Sequence, residues 1–246
     1  MGILRDVLAA FQFLTRLPLP SMRGEVPPLS RAIPFFPVVG LVVALGAIGL
    51  QRLLQAHLTQ PVLAVLLLTY LVVITGALHE DGLADTADGF GGGWNRDKIL
   101  LIMRDSRIGS FGAIAIALSL LARYTFLSTI PLVKLPSYLV AAEVLCRWTA
   151  LPLSLLLKPA RETDGQGATI ARKTSIPSLL LGTFLAFAIV GAALRSAIWL
   201  PAAAALLVTS GSALYYRSQI GGVTGDCFGA TTQITAIGVY LCGTLL

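Results

Sequence analysis

A chain of 246 residues could hold one large soluble domain, but 56% of these residues are hydrophobic and only 12% are charged, about half the charged share of a soluble domain. With a mean hydropathy of +0.82, the composition excludes water as the main solvent and suits six or seven membrane helices of about 20 residues each. The formal net charge of +6 is distributed by position as in a membrane protein, and no nucleic-acid partner is expected.

In chain order, residues 3–16 place Ile3, Val7, Ala10 and Leu14 at helical spacing with Arg5, Gln12 and Arg16 off that stripe. This predicts a short helix lying in the membrane interface. Its charges interrupt any apolar core, and no small-residue cleavage site follows, so no cleavage is expected.

A proline-punctuated connector leads to a first span from Phe35 to Leu54, a second from Pro61 to Leu78, and a third from Gly109 to Ile130 with Arg123 inside it. A fourth, Leu135 to Leu157, contains Glu143 and Arg147, spaced i,i+4 so that the two charges neutralise each other away from lipid. Pro177 to Leu194, Ala197 to Leu214 and Ala230 to Leu246 complete the set. The expected fold is therefore an all-α integral membrane bundle of about six to seven transmembrane helices, one polytopic domain over residues 1–246.

With the N-terminus inside, 13 of the 18 basic residues fall in cytoplasmic segments and two, Lys134 and Arg195, in outer loops. That asymmetry obeys the positive-inside rule. It puts the polar loops at about 79–107, 158–177 and 215–229 on one cytoplasmic face, where they can build a composite site. The three cysteines, Cys146, Cys227 and Cys242, lack paired spacing and read as buried thiols.

The chemistry concentrates in His79 to Gly93, HEDGLADTADGFGGG, which carries Glu80, Asp81, Asp85 and Asp88. On a helix, Asp81, Asp85 and Asp88 lie within about 60° of one another. Unpaired, they repel. Oxygen-only ligands favour a hard cation, magnesium or manganese, bound together with substrate phosphate oxygens. Arg104 and Arg107 suit phosphate, and Asp105 suits metal ligation or proton acceptance. Gly221 and Gly222 open a second glycine-rich loop around Asp226, where backbone can approach a ligand closely. His79, at the motif's start, is a candidate contact.

Residues 79–90 and then Ile102 to Gly112, IMRDSRIGSFG, resemble the signature blocks of the cobalamin synthase family, adenosylcobinamide-GDP ribazoletransferase. Phe13 to Pro18, Phe36 to Gly40 and Gly221 to Asp226 resemble that family in the same order, so the resemblance covers nearly the whole chain. It implies a bacterial inner-membrane enzyme that joins adenosylcobinamide-GDP to alpha-ribazole or its 5'-phosphate with release of GMP, using magnesium, and a homo-oligomer is compatible with it. Combined with the residue reading, Glu80, Asp81, Asp85 and Asp88 are the expected metal ligands and Asp81, Asp85 and Asp105 the expected catalytic groups. His79, Arg104, Arg107, Gly221, Gly222 and Asp226 are the expected substrate contacts. Two alternatives are a phosphotransferase like the CDP-alcohol enzymes, though no Ala-Arg follows the glycine here, and a divalent-cation transporter.

Overall fold

The computed structural model describes residues 2–20, 27–161 and 174–245. Arg23, Arg172, Lys173 and most of the expected loop at 158–177 lie outside the described residues. Within them the regular structure is helical, apart from one isolated parallel bridge between Pro159 and Val223.

The helices are α1 (Gly2–Leu14), α2 (Leu29–Ala32), α3 (Phe36–Leu54), α4 (Gln60–Thr75), α5 (Leu78–Gly92), α6 (Arg96–Ile102), α7 (Ser110–Thr129), α8 (Leu135–Trp148) and α9 (Ala150–Leu156). After the undescribed segment come α10 (Ile176–Leu194), α11 (Trp199–Ile220) and α12 (Gly225–Leu245). Their boundaries follow local chemistry. Proline opens α3, α4, α8 and α10 within the first two positions, where its missing N–H costs nothing. Asn95 and Ser175 cap α6 and α10 by accepting from the backbone N–H groups of Lys98 and Ser178. Gly76 and Gly221 end α4 and α11 in the left-handed conformation, at φ 64° and 69°.

Among the described residues, four helical runs are long and apolar enough to cross a membrane: Leu29–Leu54, Ser110–Thr129, Leu135–Leu156 and Ile176–Ile220. A fifth exists if α4 and α5, bent by 86° at their junction, form one broken span. The expectation of six or seven spans divides 176–220 in two and adds the last helix. The division has a structural counterpart: the 3-10 turn Arg195–Ile198 separates α10 from α11, and Arg195 adopts φ 52° there.

Burial sorts the spans into centre and rim. In the most apolar stretch of Leu135–Leu156, 83% of residues are buried, against 22% for Ser110–Thr129 and 17% for Ile176–Ile220. The central run α8 packs against α3, α10 and α12, whereas Leu118, Leu121, Phe184 and Leu207 on the rim are exposed. An aqueous protein could not leave such a belt uncovered; acyl chains cover it at no cost. The expected pair is present at the centre: Arg147 Nη1 donates to Glu143 Oε2 at 2.6 Å, and the Tyr240 hydroxyl donates to Glu143 Oε1 at 3.1 Å. α1 packs less simply than its stripe suggests. Ala10 and Leu14 are buried and Ile3 is exposed, while buried Asp6 accepts from Arg31 at 3.0 Å.

Candidate active site

The acidic motif is a helix, α5, set by the sharp turn before it. Gly76 and Ala77 both take positive φ, which ends α4 and swings the chain through 86°. α5 then runs antiparallel beside α7. Near its start, Glu80 Oε1 accepts from Arg123 Nη2 at 2.8 Å. Near its end, Asp88 accepts from the backbone N–H groups of Gly109 and Gly112 at 2.7 and 2.8 Å, capping α7 from outside that helix.

On another face α5 crosses α12 through glycine. A Cβ on Gly82 would stand 2.9 Å from the Asp226 carbonyl oxygen and 3.2 Å from the Gly229 Cα, so only glycine allows the two backbones to approach this closely. The crossing delivers Asp226, from the first turn of α12, to the motif. Asp85 thereby lies within electrostatic reach of Asp226, Asp81 and Asp88, with Arg161 as the opposing positive charge. Burial raises the Asp226 carboxyl above its ordinary value; Arg161 and a hydrogen bond from Thr224 oppose that shift, and the charge of Asp81 adds to it.

The remaining polar segments are tied to this crossing. The amide of Ala160 donates to the Val223 carbonyl and the amide of Val223 to the Lys158 carbonyl, each at 2.9 Å. A Cβ on Gly222 would run into the Lys158 carbonyl oxygen, so this residue serves the bridge, while Gly221 is exposed with open space beside it. Arg96 donates to the carbonyls of Ile220 and Ala160 at 3.1 and 2.6 Å, and Arg161 donates to the Leu100 carbonyl at 2.8 Å.

At the Asp88 end of α5 opens a cavity of about 820 Å³, lined among others by Asp88, Lys98, Arg104, Asp105, Arg107 and Ser110. Three cations against two carboxylates suit an anionic ligand, and the volume is that of a small-molecule site. Within it Arg107 forks Asp105, with Nη2 to Oδ2 at 2.6 Å and Nε to Oδ1 at 2.9 Å. These bonds hold the Asp105 carboxyl down at about 2. A carboxylate so held is a weak proton acceptor while the pair persists.

The structure thus sets Asp81, Asp85 and Asp226 within electrostatic reach of one another and Arg104, Asp105 and Arg107 in the cavity that Asp88 borders. Glu80 and Asp88 have protein partners of their own, and His79 is buried with its backbone against Gly229. Arg161, Lys98 and Arg96 were missed by sequence reasoning, because isolated basic residues at a membrane face carry no spacing signal to separate them from topology anchors.

Among the described residues no three acidic, histidine or cysteine side chains converge as a ready-made metal cage. Magnesium needs no such cage: it takes one or two carboxylates, keeps several waters and completes its shell with substrate phosphate. Asp85 and its acidic neighbours fit that requirement.

The family described as cobalamin-5-phosphate synthase matches residues 6–244. The chain belongs to that family. Among relatives of this synthase family, the adenosylcobinamide-GDP ribazoletransferase of Mesorhizobium japonicum is 43% identical, over 97% of this chain and 92% of its own. The proteins of the same name from Xanthobacter autotrophicus and Azorhizobium caulinodans are 41% and 40% identical, each over 99% of this chain and over 97% and 96% of their own. No solved structure matches the chain. Membership in the synthase family leaves the CDP-alcohol and transporter alternatives without support.

Proposed function

We propose that this member of the family transfers the adenosylcobinamide-phosphate group of adenosylcobinamide-GDP to alpha-ribazole or its 5'-phosphate, with magnesium at Asp81, Asp85 and Asp226. The observation that carries the reading is that these three carboxylates, from two distant segments, lie within electrostatic reach of one another, on the helix whose Asp88 borders a basic cavity and on the helix that crosses it. Mutual repulsion makes such a cluster costly without a cation, and phosphoryl transfer needs a cation beside a diphosphate.

A ribose hydroxyl of the ribazole attacks the phosphorus on the cobinamide side; its O–P bond forms as the O–P bond to GMP breaks, and its proton is released. Lys98, Arg104 and Arg107 hold the diphosphate oxygens and orient the leaving GMP. When Arg107 turns from Asp105 to the diphosphate, Asp105 loses the partner that holds its pKa down and becomes able to accept the proton. Bound magnesium would supply charge screening at the diphosphate as negative charge moves onto GMP.

The chain then lies in a bacterial inner membrane with the site facing the cytoplasm, 176–220 crossing twice, α12 from Ala230 onward as the last span and α1 in the interface. Purified protein in lipid, given adenosylcobinamide-GDP, alpha-ribazole and magnesium, releases GMP. Asp85→Asn keeps the fold and loses turnover; full activity in that variant sinks the assignment.

A further inference from the structure

We propose that the four carboxylates of residues 80–88 divide by role: Glu80 and Asp88 are positioning residues that lock α5 against α7, with Arg123 as partner, while Asp81 and Asp85 face the reacting groups. The inference rests on the functional reading above and concerns which acids that reading needs.

At about 100° per residue, positions 80, 84 and 88 form one i,i+4 ridge that winds toward the face of 81 and 85, so Asp88 is told apart from Asp81 and Asp85 by its partners and not by its angle. Along that ridge the hydrogen bonds of the acids run to α7 and its cap residue Gly109. Glu80 accepts from Arg123, and the Ala84 carbonyl oxygen lies where a Cβ on Gly112 would stand 2.9 Å away. Asp88 accepts from the amides of Gly109 and Gly112. Glu80, Asp88 and Arg123 are 6%, 8% and 4% exposed, whereas Asp81 is exposed and Asp85 half-buried. Both oxygens of Asp88 already accept backbone donors; Glu80 gives Oε1 to Arg123, and its Oε2 is buried without a hydrogen-bond partner.

The two attachments are eight residues apart, about 12 Å along α5, so together they set both the sliding register and the rotation of that helix. Arg123 stands 14 residues beyond Gly109, about 21 Å into α7, and its side chain points back toward the N-terminus to reach Glu80. An arginine at that depth is costly in lipid without a counter-charge. Glu80 is that counter-charge, and the attraction pulls the adjacent Asp81 and Asp85 into place.

The test uses the full chain in lipid nanodiscs with two readouts. Bound Mn2+, the metal alone, is counted by electron paramagnetic resonance. GMP release gives kcat and KM. Asp85→Asn loses the Mn2+. The neutral double variant Glu80→Gln with Arg123→Gln removes both charges at once, avoids leaving either one buried and unpaired, and keeps the Mn2+ count of the wild type. Its kcat falls about tenfold to a hundredfold, the cost of displacement by about 1 Å, with KM little changed. Arg123→Lys, which keeps the charge, restores most of kcat.

Loss of Mn2+ in the double variant to the extent seen in Asp85→Asn makes Glu80 a ligand and overturns the proposal. Wild-type kcat in a double variant that merely melts earlier also overturns it, since a structural brace alone would do that. If the double variant does not accumulate, Glu80→Asp, which shortens the reach and keeps the charge, is held to the same two outcomes. A wild-type protein that takes up no Mn2+ strikes the metal reading instead. The division of roles is then decided by kcat, and a smaller loss in Asp81→Asn than in Glu80→Asp overturns it.

Discussion

Asp226 shows how one residue links packing to pH. Burial raises its carboxyl above the ordinary value, so the folded chain holds the proton more tightly than the unfolded chain does. Stability from that proton is fully present below the ordinary carboxylate pKa and is lost as pH rises through the raised native value. Metal-free protein should therefore melt at lower temperature as pH rises across that window, and Asp226→Asn should flatten the profile; calorimetry with a chelator present reads both. Added Mg2+ should offset the loss at the high end, since it binds the ionised form. Asp88 links packing to stability instead, through its bonds to the amides of Gly109 and Gly112. Asp88→Ala should cost about 2 kcal/mol by stripping the cap from α7, measured as a fall in melting temperature.

Among the elements, α5 decides the site, and its position depends on two things: the left-handed turn at Gly76 and Ala77 before the motif and the crossing of the motif's Gly82 with α12. Gly82→Val should leave the helix formed but push it from α12, because the new side chain meets Asp226 backbone, which cannot swing aside. The expected result is a loss of GMP release far larger than the loss of thermal stability, with Asp226 no longer beside Asp85. The spacing of Asp81, Asp85 and Asp88 was legible as a helical face. That Asp88 would be occupied by the amides of a later helix was not, since capping from outside requires knowing which helix ends nearby.

For the whole molecule, apolar composition and the skewed basic residues foretold a membrane bundle, and the exposed belt of Leu118, Phe184 and Leu207 agrees with them. Single cysteines introduced at exposed Trp94 and Val133, in a background with Cys146, Cys227 and Cys242 replaced, test the orientation. A membrane-impermeant maleimide should label Val133→Cys in intact cells and Trp94→Cys only after lysis; the reverse pattern inverts the topology. The native cysteines are buried, so the unmodified protein should stay unlabelled until denatured.

The acids that make the chemistry, the glycines beside them and the i,i+4 pair of Glu143 and Arg147 are local patterns, and the sequence by itself determined them through helical periodicity and the cost of charge in lipid. Which acids are left for the site was decided by tertiary structure alone. Glu80 meets Arg123 from 43 positions away, and Asp226 reaches Asp85 only because α12 crosses α5 at Gly82. Long-range contacts of this kind carry no periodicity in the chain; they arise when helices with matching close-approach points and opposite buried charges find their lowest energy together.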